Sequence, residues 1–320
     1  MKVLVTGATG VVGRRLVPLL RRANHEVTAV ARSPIVRAQL QRHGATAAEL
    51  DLFDPAAVRG AVAGHDAVVN LATHVPHSST RMFLPGAWRE NDRIRGIASG
   101  VIVDACVAAG VPRFIQESFA PVYPDCGDRW IDETVPIKTV RYNRTIVDAE
   151  AAADRFHRSG GTGIVLRFGA FYGPDSSQML ELIPWIKKGW APVPGSPQAY
   201  ISSVSHDDAA TAVAAALDMA SGVYNVVDDE PVTHEVFVGS LADAIGVPHP
   251  KLPRPWMTRL FGSPGELLAR SERISNKKLR TSSGWTPRYP SVREGWRSVV
   301  EGLKERPGLA NPVALDKTHN

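Results

Sequence analysis

The sequence is poor in cysteine and has no long apolar segment. Its two cysteines, Cys106 and Cys126, form no CxxC pair and predict neither a disulfide framework nor a zinc site. No run of about 18 apolar residues occurs, and the first residues, MKVLVTGATG, contain no apolar export segment. We therefore expect a cytoplasmic protein that is neither secreted nor inserted in a membrane.

Charge of one sign is not concentrated anywhere along the chain. The formal net charge of +5 comes from 37 Lys and Arg against 32 Asp and Glu, with only short basic doublets such as Arg14-Arg15. Nucleic-acid binding needs a denser basic stripe than this. We expect a small-molecule substrate, with no nucleic-acid or membrane partner.

Short apolar runs alternate with longer amphipathic stretches through the first half of the chain. This alternation is typical of an α/β fold with helices around a doubly wound parallel sheet. The predicted strands are Lys2 to Thr6, Glu26 to Ala31, Thr46 to Asp51, Asp66 to Ala72, Arg113 to Glu117, Gly163 to Phe168 and Val223 to Val227.

A glycine-rich turn joins the first predicted strand to the first helix. In TGATGVVG, Gly7 suits a tight turn, Gly10 lets the backbone approach a pyrophosphate, and Gly13 lets the helix pack against the sheet. Because a strand precedes this motif and an apolar-periodic helix follows it, it predicts a Rossmann dinucleotide site. We expect the pyrophosphate to be bound by Gly7, Thr9, Gly10, Val11, Val12 and Gly13.

The ends of the next three strands predict the rest of the cofactor site. Arg32 and Ser33 follow the second strand, where an NAD-selective protein commonly has an acidic residue, so we expect NADP in preference to NAD. A solvated surface arginine is the alternative for Arg32. By position we also assign the third and fourth strand ends to the site, with Asp51 and Leu52 at the adenine and Leu71, Ala72 and Thr73 along the cofactor.

The texture of the sequence changes after residue 171, where proline and tryptophan become frequent. We predict an NAD(P)-binding Rossmann domain at 1–171, to which 204–227 returns. A smaller α+β substrate lobe at 172–203 and 228–306 and a flexible tail at 307–320 complete the predicted organisation.

Several motifs along the chain resemble those of the extended short-chain dehydrogenase/reductases, the NAD-dependent epimerase/dehydratase family. They are TGATGVVG, VVNLAT, Asn91, LRFGAFYGP at 166–174, HDDAA at 206–210 and SNKKLRTSSGWTP at 275–287. The resemblance implies a sheet of about seven strands, a pocket between domain and lobe, and chemistry on hydroxy or carbonyl metabolites. It also allows a homodimer through helices at about Trp88 to Ala109 and Thr139 to His157.

The family's catalytic residues match only in part. The family uses a Tyr-x-x-x-Lys pair, in which positions four apart share one helix face, together with a Ser or Thr after the fifth strand. Here Tyr142 matches the tyrosine, but Ile146 stands where the lysine is expected. Phe119 occupies the Ser/Thr position, and Ser118 is one residue away. We predict Tyr142 and Ser118 as catalytic residues, with packing against the core as the alternative for Tyr142.

Other residues could substitute for the missing groups. Lys138 shares the face of Tyr142 if the helix begins early, and Glu117, His74 and His77 follow strands that end near the nicotinamide. No third ligand accompanies the two histidines, so we expect no metal. We interpret His206-Asp207-Asp208 as a helix cap.

Three functions stay open at this point. The first is an NADP(H)-dependent oxidoreductase or epimerase-like enzyme acting on a small hydroxy or carbonyl metabolite. The second is a redox-neutral cyclase, dehydratase or isomerase, and the third is a non-catalytic dinucleotide-binding regulator. The missing lysine favours the last two, whereas the intact glycine turn, Arg32 and Tyr142 favour the first.

Overall fold

The computed structural model describes residues 1–31, 33–76, 78, 81–84 and 86–305. Its strands are β1 Lys2–Thr6, β2 Glu26–Val30, β3 Thr46–Ala48, β4 Ala67–Asn70, β5 Arg113–Phe119, β6 Trp130–Ile131, β7 Thr162–Phe168, β8 Ala170–Tyr172, β9 Tyr200–Ile201, β10 Ser203–Ser205, β11 Gly222–Val226, β12 Val232–Thr233 and β13 Arg273–Ile274. Seven of them form a parallel sheet in the order β11-β7-β5-β4-β1-β2-β3. The predicted α/β fold is confirmed.

Helices cover both faces of this sheet. They are α1 Gly13–Arg22, α2 Pro34–Arg42, α3 Pro55–Val62, α4 Arg89–Arg93, α5 Ser99–Ala108, α6 Ile146–Arg158, α7 Ser177–Leu180, α8 Leu182–Ile186, α9 His206–Ala215, α10 His234–Ile245, α11 Gly262–Leu268, α12 Lys277–Ser283 and α13 Val292–Glu305. One apolar core joins the sheet to α1 and α9, and a second joins it to α3, α5 and α6. Burial on both faces explains why these strands are nearly continuous apolar runs.

The ends of several strands differ from the prediction because the neighbouring strand decides how far pairing continues. β3 is an edge strand of the described sheet that ends at Ala48, three residues before the predicted end, where its neighbour β2 also ends. β5 continues to Phe119, two residues beyond the predicted end, because Phe168 of β7 pairs with it. Sequence periodicity does not contain this information.

The strand order reverses between β1 and β4, which are neighbours at the centre of the sheet. At such a switch point the connections leave in opposite directions and open a crevice at the carboxyl ends of the strands. The chain after β1 and the chain after β4 therefore border the expected ligand site.

The chain from β8 onwards builds a further apolar core from α7, α8, α10 and α13. Three two-stranded pairs, β8 with β10, β9 with β12 and β6 with β13, accompany it. β11 and α9 instead belong to the main sheet and its helical layer. The predicted tail at 307–320 lies outside the described residues. No helix in the described part of the chain combines the length and apolarity that a membrane crossing needs.

Candidate dinucleotide and active site

The glycine turn packs too closely against its surroundings for larger residues. A Cβ on Gly7, whose φ is +63°, lies 2.3 Å from the carbonyl oxygen of Leu71. A Cβ on Gly13 lies 2.3 Å from the carbonyl oxygen of Gly7, and the N–H of Gly10 donates to that same oxygen at 3.0 Å. Both clashes are with backbone, so neither is relieved by a side-chain movement. The turn thus lies directly on the chain that leaves β4.

The helix that follows this turn leaves its positive end open to an anion. α1 begins at Gly13 without a capping side chain, and no acidic residue lies in its first turn. The helix dipole and unpaired N–H groups favour a negative charge at such an end. Thr9 and Gly10 are exposed there, whereas Val12 is buried and Val11 half-buried. The turn therefore fits a pyrophosphate.

The predicted adenine side is only partly within the described chain. Arg32 lies outside the described residues, and Ser33 is the extended residue before α2, where its side chain makes no capping bond. Asp51 lies beyond the end of β3 and accepts the N–H of Phe53 at 2.9 Å. Leu52 is half-buried and packs against the core beside α3.

Buried hydrogen bonds hold the chain after β4 at the switch point. Asn70 accepts the hydroxyl of Thr6 at 2.5 Å and donates to Gln116 at 2.9 Å, which links β4 to both neighbouring strands. Further along, the buried side chain of Asn91 accepts the N–H of His74 at 3.0 Å. Leu71, Ala72 and Thr73 lie between these anchors, so their backbone follows one fixed path. The imidazole of His74 is exposed, and His77 lies outside the described residues.

Ser118 lies inside the protein, in a cluster of polar side chains between β5, β7 and α6. Its hydroxyl donates to Glu150 at 2.6 Å, and Glu150 is also held by two hydrogen bonds from Arg167, at 2.8 and 2.6 Å. Arg167 donates further to the Tyr123 hydroxyl at 2.8 Å, and that hydroxyl donates to Asn225 at 2.9 Å. Ser118 is 1% exposed, so its hydroxyl serves this cluster.

Charge pairing stabilises the ionised state of this cluster. Burial disfavours the charged guanidinium, but the hydrogen bonds and the charge of Glu150 raise the pKa of Arg167 above its usual range. Burial also raises the pKa of Tyr123, against the opposing effect of Arg167. Tyr123 is therefore a neutral donor, and the carboxylate and guanidinium form a fixed pair.

Tyr142 and Ile146 do not share a continuous α-helix, which corrects the predicted helix over Thr139 to His157. Tyr142 lies in a 3₁₀ turn over Arg141–Asn143, and α6 begins only at Ile146. The side chain of Asn143 fixes this turn by accepting the N–H of Val140 at 2.8 Å and donating to the carbonyl of Pro121 at 3.2 Å. The side chain of Tyr142 lies outside the described part of the structure.

The position of the missing lysine is apolar. Ile146 is 0% exposed and packs in a small core with residues of the loop after β5, including Val122 and Tyr123. Lys138 cannot share a helix face with Tyr142, because its N–H donates to Val122 at 2.7 Å in a non-helical segment. Phe119, in the Ser/Thr position, is the half-buried last residue of β5.

A buried ion pair between Arg95 and Glu117 lies at the carboxyl end of β5. Their side chains are 7% and 12% exposed and approach to 2.7 Å. Arg95 belongs to a π-helical turn, Ile94–Ala98, between α4 and α5, and such turns are frequent at functional sites. Sequence analysis singled out Glu117 but missed Arg95, although Arg95 follows Asn91 by four residues and so lies on the same helix face.

The prediction that His206-Asp207-Asp208 forms a helix cap was wrong, because the capping residue of α9 is Ser205. Ser205 caps α9 by accepting the N–H of Asp208 at 3.0 Å. His206 instead binds Asp175 at 2.7 Å, and Asp207 binds Arg15 at 2.5 Å. These partners are 31 and 192 residues away along the chain, so only the tertiary fold brings them together.

Comparison with known proteins agrees with the motifs. Residues 3–227 match the model of the NAD dependent epimerase/dehydratase family. The 3-diazoavenalumate denitrifying reductase of a Streptomyces species is 31% identical over 313 residues, covering 92% of this chain and 99% of that protein. The 2-alkyl-3-oxoalkanoate reductase of Stenotrophomonas maltophilia is 28% identical over 264 residues, covering 78% and 77%.

Solved structures share the fold at lower identity. Human epimerase family protein SDR39U1 with NADPH superposes with a TM-score of 0.76 at 20% identity, over 95% of this chain and 100% of that one. The dTDP-glucose 4,6-dehydratase DesIV of Streptomyces venezuelae, with NAD and TYD bound, gives 0.77 at 22%, over 98% and 100%. The chain belongs to the NAD dependent epimerase/dehydratase family, as its motifs predicted.

Proposed function

We propose that this protein is an NADP(H)-dependent reductase that transfers a hydride to a small molecule without the family's tyrosine–lysine pair. The observation that carries the proposal is the combination of a buried, apolar environment at Ile146 with an intact glycine turn. The names of the two sequence relatives, both reductases, support hydride transfer.

The cofactor side rests on residues that fit a dinucleotide. The turn from Gly7 to Gly13 would hold the pyrophosphate, since α1 begins there without a capping side chain or an acidic residue in its first turn. Arg32 and Ser33 would bind the 2′-phosphate, Asp51 and Leu52 would border the adenine, and Leu71 to Thr73 would pass beside the nicotinamide half. When bound, the cofactor supplies the hydride.

The absence of the family's lysine limits which groups can accept the hydride. Reducing a carbonyl creates an alkoxide, which needs a proton from a nearby acid. In the described part of the site, Ile146 supplies no cation to lower the pKa of a tyrosine, and the Ser118 hydroxyl serves Glu150. An acceptor that forms no alkoxide suits this site better.

A diazo group is such an acceptor, and the 31% identical relative is named for one. Addition of a hydride to the terminal nitrogen of an aryl diazonium ion gives a neutral diazene. The diazene then loses dinitrogen while its single hydrogen passes to the ring carbon, so the hydrogen delivered as hydride forms the new C–H bond and the charge balances without a protein acid. We propose an aromatic diazo compound as the substrate class.

The test is calorimetry with NADPH and NADH, followed by loss of nicotinamide absorbance with 4-diazobenzoate or with a matching ketone. We expect tighter binding of NADPH, turnover with the diazonium compound, and little effect of Tyr142→Phe on that turnover. Ketone reduction that disappears in Tyr142→Phe would instead assign the site to carbonyl chemistry. Binding without any turnover would favour the redox-neutral or regulatory alternatives.

A further inference from the structure

A cavity of about 530 Å³ lies beside α1, and its lining contains no residue of the glycine turn from Gly7 to Gly13. Its walls come from the start of α1, the loop after β8, the start of α9, and α13 with the segment before it. Among the described residues, none that is assigned to the dinucleotide lines it. Its volume is within the range of roughly 300–1,000 Å³ that is usual for small-molecule sites.

His206 presents a hydrogen-bond acceptor in the wall of this cavity. Its Nδ1 bonds Asp175 at 2.7 Å, and Asp175 is held further by Arg14 and by two bonds from Arg15, at 2.9 and 3.1 Å. Despite burial, His206 and the arginines keep the pKa of Asp175 well below its usual range, so it is a carboxylate.

The imidazole itself is neutral. Burial lowers the pKa of His206, and Arg15 and Arg14 oppose the raising effect of Asp175. With Nδ1–H donated to the carboxylate, Nε2 carries the lone pair and can accept a hydrogen bond. The wall of the cavity therefore offers an acceptor to a donor group, such as a hydroxyl, of a ligand.

Arg288 provides an uncompensated positive charge at the same cavity. Two arginines line it, Arg15 and Arg288, and the described lining contains one carboxylate from Asp207. Asp207 is paired with Arg15 at 2.5 Å, whereas the Arg288 guanidinium lies over the Tyr289 ring, 5.4 Å from its centroid, and meets no carboxylate among the described residues. One negative charge on a ligand balances the site.

We propose that this cavity binds a small hydroxylated aromatic carboxylate. The carboxylate pairs with Arg288, the hydroxyl donates to Nε2 of His206, and the ring packs against Pro174 and Val299, which also line the cavity. Arginine suits the carboxylate because its planar guanidinium can donate two parallel hydrogen bonds.

Calorimetry with 4-hydroxybenzoate, in the presence of saturating NADPH, tests the site. Benzoate lacks the hydroxyl and phenol lacks the carboxylate, so each is expected to bind at least about tenfold more weakly, the loss from one unpaired polar group. Equal binding of benzoate would overturn the contact with His206. Equal binding of phenol, or no saturable binding of 4-hydroxybenzoate, would overturn the proposal.

Two leucine substitutions separate this cavity from the active site. Gly302 lies in the cavity wall and Gly60 in exposed α3, and at both positions a Cβ meets no atom within 4 Å. Gly302→Leu therefore fills the cavity without a clash and is expected to weaken 4-hydroxybenzoate binding at least about tenfold, while Gly60→Leu leaves it unchanged.

Arg288→Gln checks the charge, with thermal unfolding as the control for folding. Unchanged binding in either cavity variant would refute the assignment. A chain that ends at Glu305 is expected to bind 4-hydroxybenzoate as tightly as the full chain. Tighter binding by the shortened chain would mean that residues 306–320 compete for the cavity and would overturn the proposal. NADPH binding is expected to persist in Gly302→Leu, so failure of this site and failure of the proposed reductase give different results.

Discussion

Replacement of Arg167 by methionine should destabilise the protein strongly, because it leaves Glu150 charged and buried. The two side chains are 7% and 12% exposed, and the substitution removes both hydrogen bonds to Glu150 and one to Tyr123. Breaking a buried ion pair from one side costs about 3–5 kcal/mol. Since total stabilities are about 5–15 kcal/mol, this is a large fraction.

A double-mutant cycle separates pairing from packing. Glu150→Gln combined with Arg167→Met removes both charges, so we expect the pair to recover at least about 2 kcal/mol relative to the sum of the single variants. Urea unfolding followed by tryptophan fluorescence measures each free energy. Arg158→Met is the control, since Arg158 pairs with Asp154 on the same helix but is 69% exposed, and should cost less than about 0.5 kcal/mol.

Effects of the Glu150 and Arg167 variants that add within about 0.5 kcal/mol would refute a buried, directly coupled pair. The same holds if Arg167→Met is no more harmful than Arg158→Met. Either result would mean that water reaches the cluster around Ser118.

Three further predictions concern the turn, a buried acid and the position of the missing lysine. Gly13→Ala should weaken NADPH binding at least about tenfold by calorimetry, whereas Gly60→Ala, with no atom near its Cβ, should not; equal constants would contradict the close packing of the turn. Burial raises the pKa of Asp228 well above its usual value, so wild-type stability should fall by about 1.4 kcal/mol per pH unit from the unfolded pKa near 4 up to the raised folded pKa. Asp228→Asn should remove this slope in urea titrations, and an unchanged slope would show that the carboxyl is ionised. Ile146→Lys should lower the free energy of unfolding by at least about 3 kcal/mol and gain no ketone reductase activity, since the side chain at position 146 is closed to solvent. A stable and active variant would show that position 146 faces the cofactor.

Two buried arginine–glutamate pairs lie near the ends of strands in the main sheet. Arg167 of β7 pairs with Glu150 of α6, and Glu117 of β5 pairs with Arg95. Both pairs lie near the carboxyl ends of β5 and β7. Buried pairs of this kind contribute little net stability, but removal of one partner is strongly destabilising because it leaves the other charge buried and unpaired. They therefore keep β5 rigid where the site requires a fixed shape.

The sequence by itself determined the features that depend on local geometry. Apolar runs predicted the seven strands of the main sheet. The glycine turn was predicted from the position of Gly7 and Gly13 between a strand and a helix. The family followed from motifs that each lie within a few residues. Such features need only neighbouring residues and steric rules, so periodicity and spacing reveal them.

The tertiary structure alone decided where side chains point and what they meet. Ser118 faces Glu150 because β7 holds β5 in one register, and His206 meets Asp175 because β8 and β10 lie side by side. Tyr142 lies in a 3₁₀ turn and not in the predicted helix, because the side chain of Asn143 hydrogen-bonds to the loop after β5. Each of these outcomes depends on contacts between residues far apart in the chain, and sequence spacing carries no record of such contacts.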